Sequence, residues 1–154
     1  MSLEPLETAE GSDYPGCRQL SIFLENHVGQ LLRLTRTLDG EDIHILGLTV
    51  ESSIDCAILR IVVDDPDMAR RMISEAGFAC TESDVIIVEL PTGKRGILAV
   101  SAALIAAEVN INYAYTLLNT EAHGRLIAIQ VDNMAQAAAV LSQKRFHLID
   151  QNDL

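Results

Sequence analysis

The sequence is poor in positive charge and in aromatic side chains. Its 154 residues include 11 Lys and Arg against 22 Asp and Glu, a formal net charge of −11, and only 4% of them are aromatic. Such a surface repels phosphate backbones and anionic membranes at long range. An RNA-recognition sheet also needs stacked aromatic residues and positive charge. The composition therefore argues against nucleic acid and membranes as partners.

The chain also lacks long apolar runs and any spaced set of metal-ligating residues. Its cysteines, Cys17, Cys56 and Cys80, match no zinc or redox spacing, and its histidines are scattered. No apolar run is long enough to span a bilayer, and the N-terminus has no secretory signal pattern. We therefore expect a cytoplasmic protein with reduced thiols, no metal site and no cofactor.

One pattern occurs twice along the chain. An apolar-rich run at 19–24 leads to Gly29, and a second run at 86–90 leads to Gly96, an offset of 67 residues (96 − 29). Each glycine is followed by the pattern of a helix, two strands, a helix and a strand. Halves of this size lie near the lower limit for a self-sufficient core, so we expect them to pack together.

The first half has clear element boundaries. Gly47 interrupts an apolar strand and indicates a bulge. Asp65 and Pro66 are a typical helix cap and first helical residue, and Gly77 is typical of a helix end. The pattern predicts a strand at 19–24, a helix closed by Gly40, strands at 43–51 and 56–63, a helix from 66 to 76 and a short strand at 78–81.

The second half repeats this order. The pattern predicts a strand at 85–90, a helix at 96–107, strands at 109–118 and 125–131, a helix at 134–142 and a closing strand at 146–149. The helix that starts at Gly96 is apolar nearly all round. Such a helix is usually covered on more than one face, so we expect it to pack against the other half or another chain.

These elements define the fold class. The order βαββαβ is typical of a ferredoxin-like unit, with two helices on one face of an antiparallel sheet. We predict an α+β protein of two tandem ferredoxin-like βαββαβ units, with their antiparallel sheets packed side by side and the helices on one face. The predicted boundaries are a flexible acidic tail at 1–17, a first unit at 18–83 and a second at 84–154.

The loop between the first strand and the first helix resembles that of the ACT-domain family. Members usually carry Asn or Asp, then Pro or Val, Gly, one variable residue and Leu, which Asn26, Val28, Gly29 and Leu31 match. A family Ile-x-Ile pair in the second strand has counterparts at 43–45 and 109–111. The resemblance covers about residues 19–150, and it extends to small stand-alone proteins that consist of two ACT units.

The resemblance implies a regulatory or sensor protein that binds a free amino acid, with no catalytic activity. It also implies a regulated protein partner, which the sequence does not identify. Units of this size leave apolar helix and strand-edge surface, so we expect a homodimer or a larger assembly. Family sites lie where the loop after strand one meets the second strand of a neighbouring unit. The chemistry agrees, because Gly29 lets backbone amides approach a carboxylate, the helix start supplies N–H donors, and Asn26 can both donate and accept.

We therefore predict one ligand site at the interface between the ACT units. Simpler readings stay open beside it, namely a turn glycine, a capping asparagine and core tyrosines. The second loop, at 92–96, has Lys94 and Arg95 where the first has His27 and Val28, so it binds either nothing or something more anionic. The predicted site comprises Leu24, Glu25, Asn26, His27, Val28, Gly29, Gln30 and Leu31 from the first loop, and Asn112, Tyr113, Ala114 and Tyr115 from the facing strand.

Two functions of other classes stay open. The first is an enzyme or enzyme subunit on a ferredoxin-like scaffold, and the second is a purely structural oligomerisation module. The sequence has no Ser, His and Asp set in a recognisable order and no nucleophile elbow, so we expect a protein that is not an enzyme.

Overall fold

The computed structural model describes residues 14–25, 28–118 and 122–154. The predicted α+β fold is confirmed, with antiparallel strands in each βαββαβ unit, and the element order differs from the prediction only where the two units join. The elements are β1 (Cys17–Glu25), α1 (Gln30–Asp39), β2 (Ile45–Ser52), β3 (Cys56–Val63), α2 (Pro66–Glu75), β4 (Ala79–Glu89), α3 (Gly96–Ala106), β5 (Ile111–Thr116), β6 (Leu126–Val131), α4 (Met134–Gln143) and β7 (Leu148–Ile149), followed by a short 3₁₀ helix (Gln151–Asp153).

The two units share one strand. Two separate strands were expected at 78–81 and 85–90, but β4 runs unbroken from Ala79 to Glu89. Its first part pairs with β1 and its last four residues with β6. The polar residues between the two expected strands are instead paired inside the sheet: Glu82 accepts a hydrogen bond from Arg18 at 2.5 Å and Ser83 one from Gln19 at 3.0 Å. The predicted boundary between 83 and 84 falls within this strand.

All four helices lie on one face of the sheet, whose strand order is β2-β3-β1-β4-β6-β5 with β7 beside β4. On β1, Leu20 and Ile22 point into a core with α1 and α2. On β4, Ile86 and Val88 point into a second core with α3 and α4. Side chains of equal parity on one strand share a face, and Ile22 pairs with Cys80 of β4. Both helix pairs therefore cover the same side.

The opposite face of the sheet folds onto itself. It forms a third core that combines residues of both units: Cys17, Val62, Val85, Ile87, Tyr115, Leu117, Leu126, Ala128 and Ile149. The curl of the sheet brings its two edge strands together. Gly47 of β2 and Leu117, which follows β5, form an antiparallel bridge there. The Leu118 amide also donates to the Leu46 carbonyl at 2.7 Å. The sheet thus closes on itself at this one point.

Gly47 is required by this closure. The predicted bulge is confirmed as a register shift between Ile45 and Gly47, and β5 has a matching shift between Ile111 and Tyr113. A Cβ on Gly47 would lie 2.0 Å from Cδ2 of Leu117 and 3.3 Å from Cε2 of Tyr115. Any larger residue would therefore displace the Leu117 side chain from the inner core or push β2 away from β5.

Helix α3 is covered on one face by the chain itself. Val100, Ala103 and Leu104 are buried, whereas Ile97, Leu98 and Ile105 are 53%, 63% and 70% exposed. The expected second cover is therefore absent from the described part of the chain. No described helix is both long and apolar enough to cross a membrane.

The N-terminal segment joins the fold earlier than expected. Cys17, predicted to end the flexible tail, is fully buried in β1, and its thiol donates to the Ile149 carbonyl at 3.3 Å. Burial, with nearby carboxylates, raises the pKa of this thiol well above its ordinary value. Tyr14 packs against the core of the second unit. Residues 1–13 of the predicted tail lie outside the described residues.

An exposed ion pair fixes the start of β2 to the end of β3. Asp64 accepts from the His44 backbone amide at 2.9 Å and contacts the imidazole Nδ1 at 2.8 Å. The hydrogen bond to Asp64 raises the pKa of His44 above 6.5, and the charges of Asp64 and Asp42 raise it further. In the second unit, Asp132 binds the Asn110 amide in the same way at 3.1 Å, without a histidine.

Replacement of Gly47 by alanine should destabilise the closed sheet by about 1 to 3 kcal/mol, the usual cost of overpacking a tight contact. Urea unfolding measures the change. Gly40→Ala is the matched control, because Gly40 has a helical φ of −69° and the nearest atom to its Cβ is 3.8 Å away. Equal stability of Gly47→Ala and Gly40→Ala would show that β2 and β5 do not approach this closely in solution.

The His44–Asp64 pair should make stability depend on pH. Because the pKa of His44 is raised in the folded state, its stabilisation is complete below the ordinary value of 6.5 and is lost as pH rises through the raised pKa. Asp64→Asn keeps an oxygen for the His44 amide but removes the charge. NMR titration should show a lower His44 midpoint in the variant than in the parent. An unchanged midpoint would contradict the pair.

Candidate functional site

The first loop ends in a glycine that the backbone requires. Gly29 has a φ of +88° and forms the N-cap of α1, where its carbonyl accepts from the Arg33 amide at 2.9 Å. This left-handed conformation costs other residues roughly 1–2 kcal/mol. A Cβ on Gly29 would meet nothing within 4 Å, so the space beside it is open. The turn before α1 therefore requires a glycine at position 29, whether or not a ligand binds there.

The first turn of α1 can accept an anion. Among the described residues no side chain caps this helix, and its first turn contains no acidic residue. The first N–H groups of a helix lack partners within it and form its positive end. The apolar side chains of Val28, Leu31 and Leu32 are exposed around this turn. The arrangement suits a molecule with a carboxylate and an apolar part.

The remaining residues of the predicted loop fall into two groups. Leu24 is buried in the first core and anchors the end of β1, where Glu25 is the last residue of the strand. Gln30 is the first residue of α1. Asn26 and His27 lie outside the described residues, so their part in the site stays a prediction.

The predicted facing strand carries a buried polar cluster. Tyr115 donates its hydroxyl hydrogen to Oε1 of Gln19 at 2.6 Å, and Gln19 donates from Nε2 to the Tyr113 hydroxyl at 2.7 Å. Gln19 is completely buried between the two units. Burial raises the pKa of Tyr115 well above its ordinary value, so its hydroxyl stays protonated. These bonds join β5 of the second unit to β1 of the first.

An arginine extends this cluster towards the surface. The guanidinium of Arg60, on β3, lies 4.3 Å from the ring centroid of Tyr113 and binds Glu51 of β2 at 2.9 Å. On the other side of β5, Asn112 and Ala114 are exposed, and Asn112 donates to the side chain of Gln130 at 2.6 Å. The two faces of β5 therefore have different roles. Its tyrosines hold the units together, whereas Asn112 and Ala114 on the other face are accessible to solvent.

Within one chain, the described contacts of the predicted site do not join its two segments. Tyr113 and Tyr115 meet β1 at Gln19, five residues before Leu24, or about 17 Å along an extended strand. Gln19 and Arg60 are not among the residues that the sequence predicts for the site. A polar residue that alternates with Leu20 and Ile22 is typical of a solvent-facing position, so the pattern gave no signal that Gln19 is buried.

The second loop borders a groove of about 310 Å³. The groove lies between the end of β4 and the segment before β7, and it is lined by Glu89, Leu90, Pro91, Thr92, Arg145, Phe146 and His147. Arg125 donates to the carbonyls of Pro91 and Gly93 at 2.6 and 2.9 Å, which fixes the loop. The described residues contain no group of three or more His, Cys, Asp or Glu that could hold a metal ion.

A hydrogen-bonded pair of side chains crosses the groove. Glu89 contacts Nδ1 of His147 at 2.8 Å and accepts from the Gly124 amide at 3.3 Å. The hydrogen bond to His147 lowers the pKa of the Glu89 carboxyl below its ordinary value, and the Gly124 amide adds to the effect. The carboxylate is therefore charged and already has partners.

Solved structures of other proteins share this fold. The chain is 32% identical to protein BT0572 from Bacteroides thetaiotaomicron, with a TM-score of 0.84 over 92% of this chain and 97% of that one. The regulatory subunit of aspartate kinase from Thermus thermophilus is 12% identical, with a TM-score of 0.57 over 85% of this chain and 93% of that one. None of the curated proteins matches the chain.

The family assignment covers nearly the whole sequence. The family model described as an ACT domain pair matches residues 16–154, which include every strand and helix of both units. The duplicated βαββαβ order, the shared strand β4 and the loop with Gly29 agree with that match. The chain therefore belongs to the ACT domain pair family.

Proposed function

We propose that this chain is a regulatory protein that binds a free amino acid at the first loop and has no catalytic activity of its own. The observation that carries the proposal is the open N-terminal turn of α1 beside Gly29. Its backbone amides offer several donors to one carboxylate, and the helix dipole favours the negative charge. An acidic protein can bind a zwitterion there without a basic side chain.

The other parts of an amino acid have partners near this turn. Asn26 can accept from the ammonium group and donate to the carboxylate. Val28, Leu31 and Leu32 expose apolar surface that an aliphatic or aromatic side chain would cover. These features favour an amino acid with an apolar side chain over a charged one.

The site is completed by the second strand of a neighbouring unit. Because Tyr113 and Tyr115 are turned towards Gln19, the accessible residues of the predicted segment 112–115 are Asn112 and Ala114. A second copy of the chain can bring them to the first loop, which supports a homodimer. The signal would then pass to a regulated protein partner through a change in this contact. The aspartate kinase regulatory subunit from Thermus thermophilus shows that the same fold occurs in a regulatory subunit.

Gly29→Ala should abolish ligand binding, because its methyl group enters the open space beside the helix start. The twenty common amino acids are added singly, in excess, and the melting temperature is followed. At least one should stabilise the parent, by about 2.7 kcal/mol when its concentration is 100 times the dissociation constant. The same amino acid should not stabilise Gly29→Ala.

Gly77→Ala is a matched control. Gly77 has a φ of +89°, nearly that of Gly29, and its Cβ would also meet nothing within 4 Å. Both variants should therefore lose similar stability, but Gly77→Ala should keep the ligand response. In a second test, Asn26→Ala should weaken binding by about 1 to 3 kcal/mol, the cost of a lost buried hydrogen bond. Equal ligand responses of Gly29→Ala and Gly77→Ala would move the site away from the first loop.

The exposed face of α3 predicts a homodimer. Light scattering of the parent should give about twice the mass of 16.8 kDa, because Ile97, Leu98 and Ile105 leave apolar surface for a second copy to cover. Ile105→Glu should return the chain to a monomer, whereas Val50→Glu, at an exposed position on β2, should not. A parent mass near 16.8 kDa at micromolar concentration would contradict the dimer.

A further inference from the structure

We propose that the groove beside the second loop is a separate site, which binds a small organic anion that carries a phosphate or carboxylate group. Its walls are the end of β4, at Glu89 and Leu90, and the segment before β7, at Arg145, Phe146 and His147. A volume of about 310 Å³ lies at the small end of ligand pockets. The site differs from the first loop in position, shape and charge.

Positive charge is concentrated in the chain segments around this groove, and Arg145 lines the groove itself. The chain has twice as many acidic as basic residues, yet both of its lysines and three of its nine arginines lie in the second loop, at Arg125 or at the end of α4. Within the described residues, no carboxylate forms an ion pair with Lys94, Arg95, Lys144 or Arg145. By contrast, Arg18, Arg60 and Arg70 each contact one. These four basic side chains can therefore pair with an anionic ligand.

Glu89, the carboxylate that lines the groove, is charged, but both of its oxygen atoms already have hydrogen-bond partners. Glu89 is engaged by His147 at 2.8 Å and by the Gly124 amide at 3.3 Å. Arg125 donates to two loop carbonyls, so it orders the loop without neutralising its cations. An incoming anion would therefore meet Arg145 with the acidic group of the groove already satisfied.

Arg145 occupies a position that the first unit gives to glycine. Residues 77–78 and 145–146 are equivalent: Phe78 and Phe146 donate to Ile73 and Leu141 at the ends of α2 and α4. Gly77 has a φ of +89°, and Arg145 adopts a φ of +64°, which glycine tolerates and other residues adopt at a cost. Residues held in such conformations cluster at functional sites. The backbone alone would favour glycine at 145.

A helix C-terminus attracts positive charge, and this accounts in part for Lys144 and Arg145. It does not account for Lys94 and Arg95, which lie in the loop on the other side of the groove and precede a helix N-terminus. Leu90 and Phe146 line the groove together with Arg145. A cationic side chain beside apolar ones fits an anion with a compact ring or hydrocarbon body.

NMR titration with phenyl phosphate tests the site. The amides of Glu89, Leu90, Thr92 and residues 145–147 should shift in a saturable way, and added salt should weaken the binding. Arg145→Gln should bind at least tenfold more weakly, whereas Arg71→Gln, a surface arginine of α2, should bind like the parent. Arg145→Gly should lose binding and melt no lower than the parent, because it restores the residue that the backbone favours.

Parallel titrations identify the recognised group. A phosphate site binds phenyl phosphate more tightly than benzoate, a carboxylate site does the reverse, and either supports the proposal. Benzyl alcohol should not bind. Gly29→Ala should keep the binding, which separates this site from the amino-acid site. Equal affinity in the parent, Arg145→Gln and Arg145→Gly, equal binding of benzyl alcohol, or no saturable shift at these residues would overturn it.

Discussion

The close approach of β2 to β5 at Gly47 is the contact on which the rest of the structure depends. Together with the shared strand β4, it bends the sheet until its inner face is enclosed. That enclosure buries a core drawn from both units, with Gln19 and Tyr115 hydrogen-bonded inside it. Units of this size bury too little surface alone, so the common inner face supplies what each of them lacks.

The closure also determines which surfaces are left for ligands. Because all four helices lie on the outer face, the helix starts and the loops before them are accessible. The first loop follows the end of β1, and the groove lies at the end of β4. Because β1 and β4 are antiparallel, the loop and the groove lie at opposite ends of the sheet and can be occupied independently.

Much of the fold could be predicted from the sequence, because its signals are local. Asp65 and Asn133 cap their helices with hydrogen bonds to Met68 and Gln136, and the bulge at Gly47 follows from one glycine in an apolar strand. The continuity of β4 could not be predicted, because its polar stretch resembles a turn until its distant partners are known. Burial of Gln19 likewise depends on a contact 96 residues away, with Tyr115.

The candidate site was predictable to a smaller extent. Gly29 does adopt the conformation that only glycine takes easily, as its place between strand and helix indicates. The predicted facing strand belongs to β5, at one edge of the sheet, but its tyrosines point inward, since the sheet closes on that side. The sequence gives no sign that Arg145 adopts a positive φ. This becomes apparent only when its backbone conformation is compared with that of Gly77.

The two units should form one cooperative folding unit, because β4 and the enclosed inner face are common to both. Differential scanning calorimetry of the ligand-free protein tests this most directly. A single transition, with equal calorimetric and van't Hoff enthalpies per cooperative unit, is expected, because neither unit can open without exposing the common core. Two resolved transitions, one for each unit, would contradict the account.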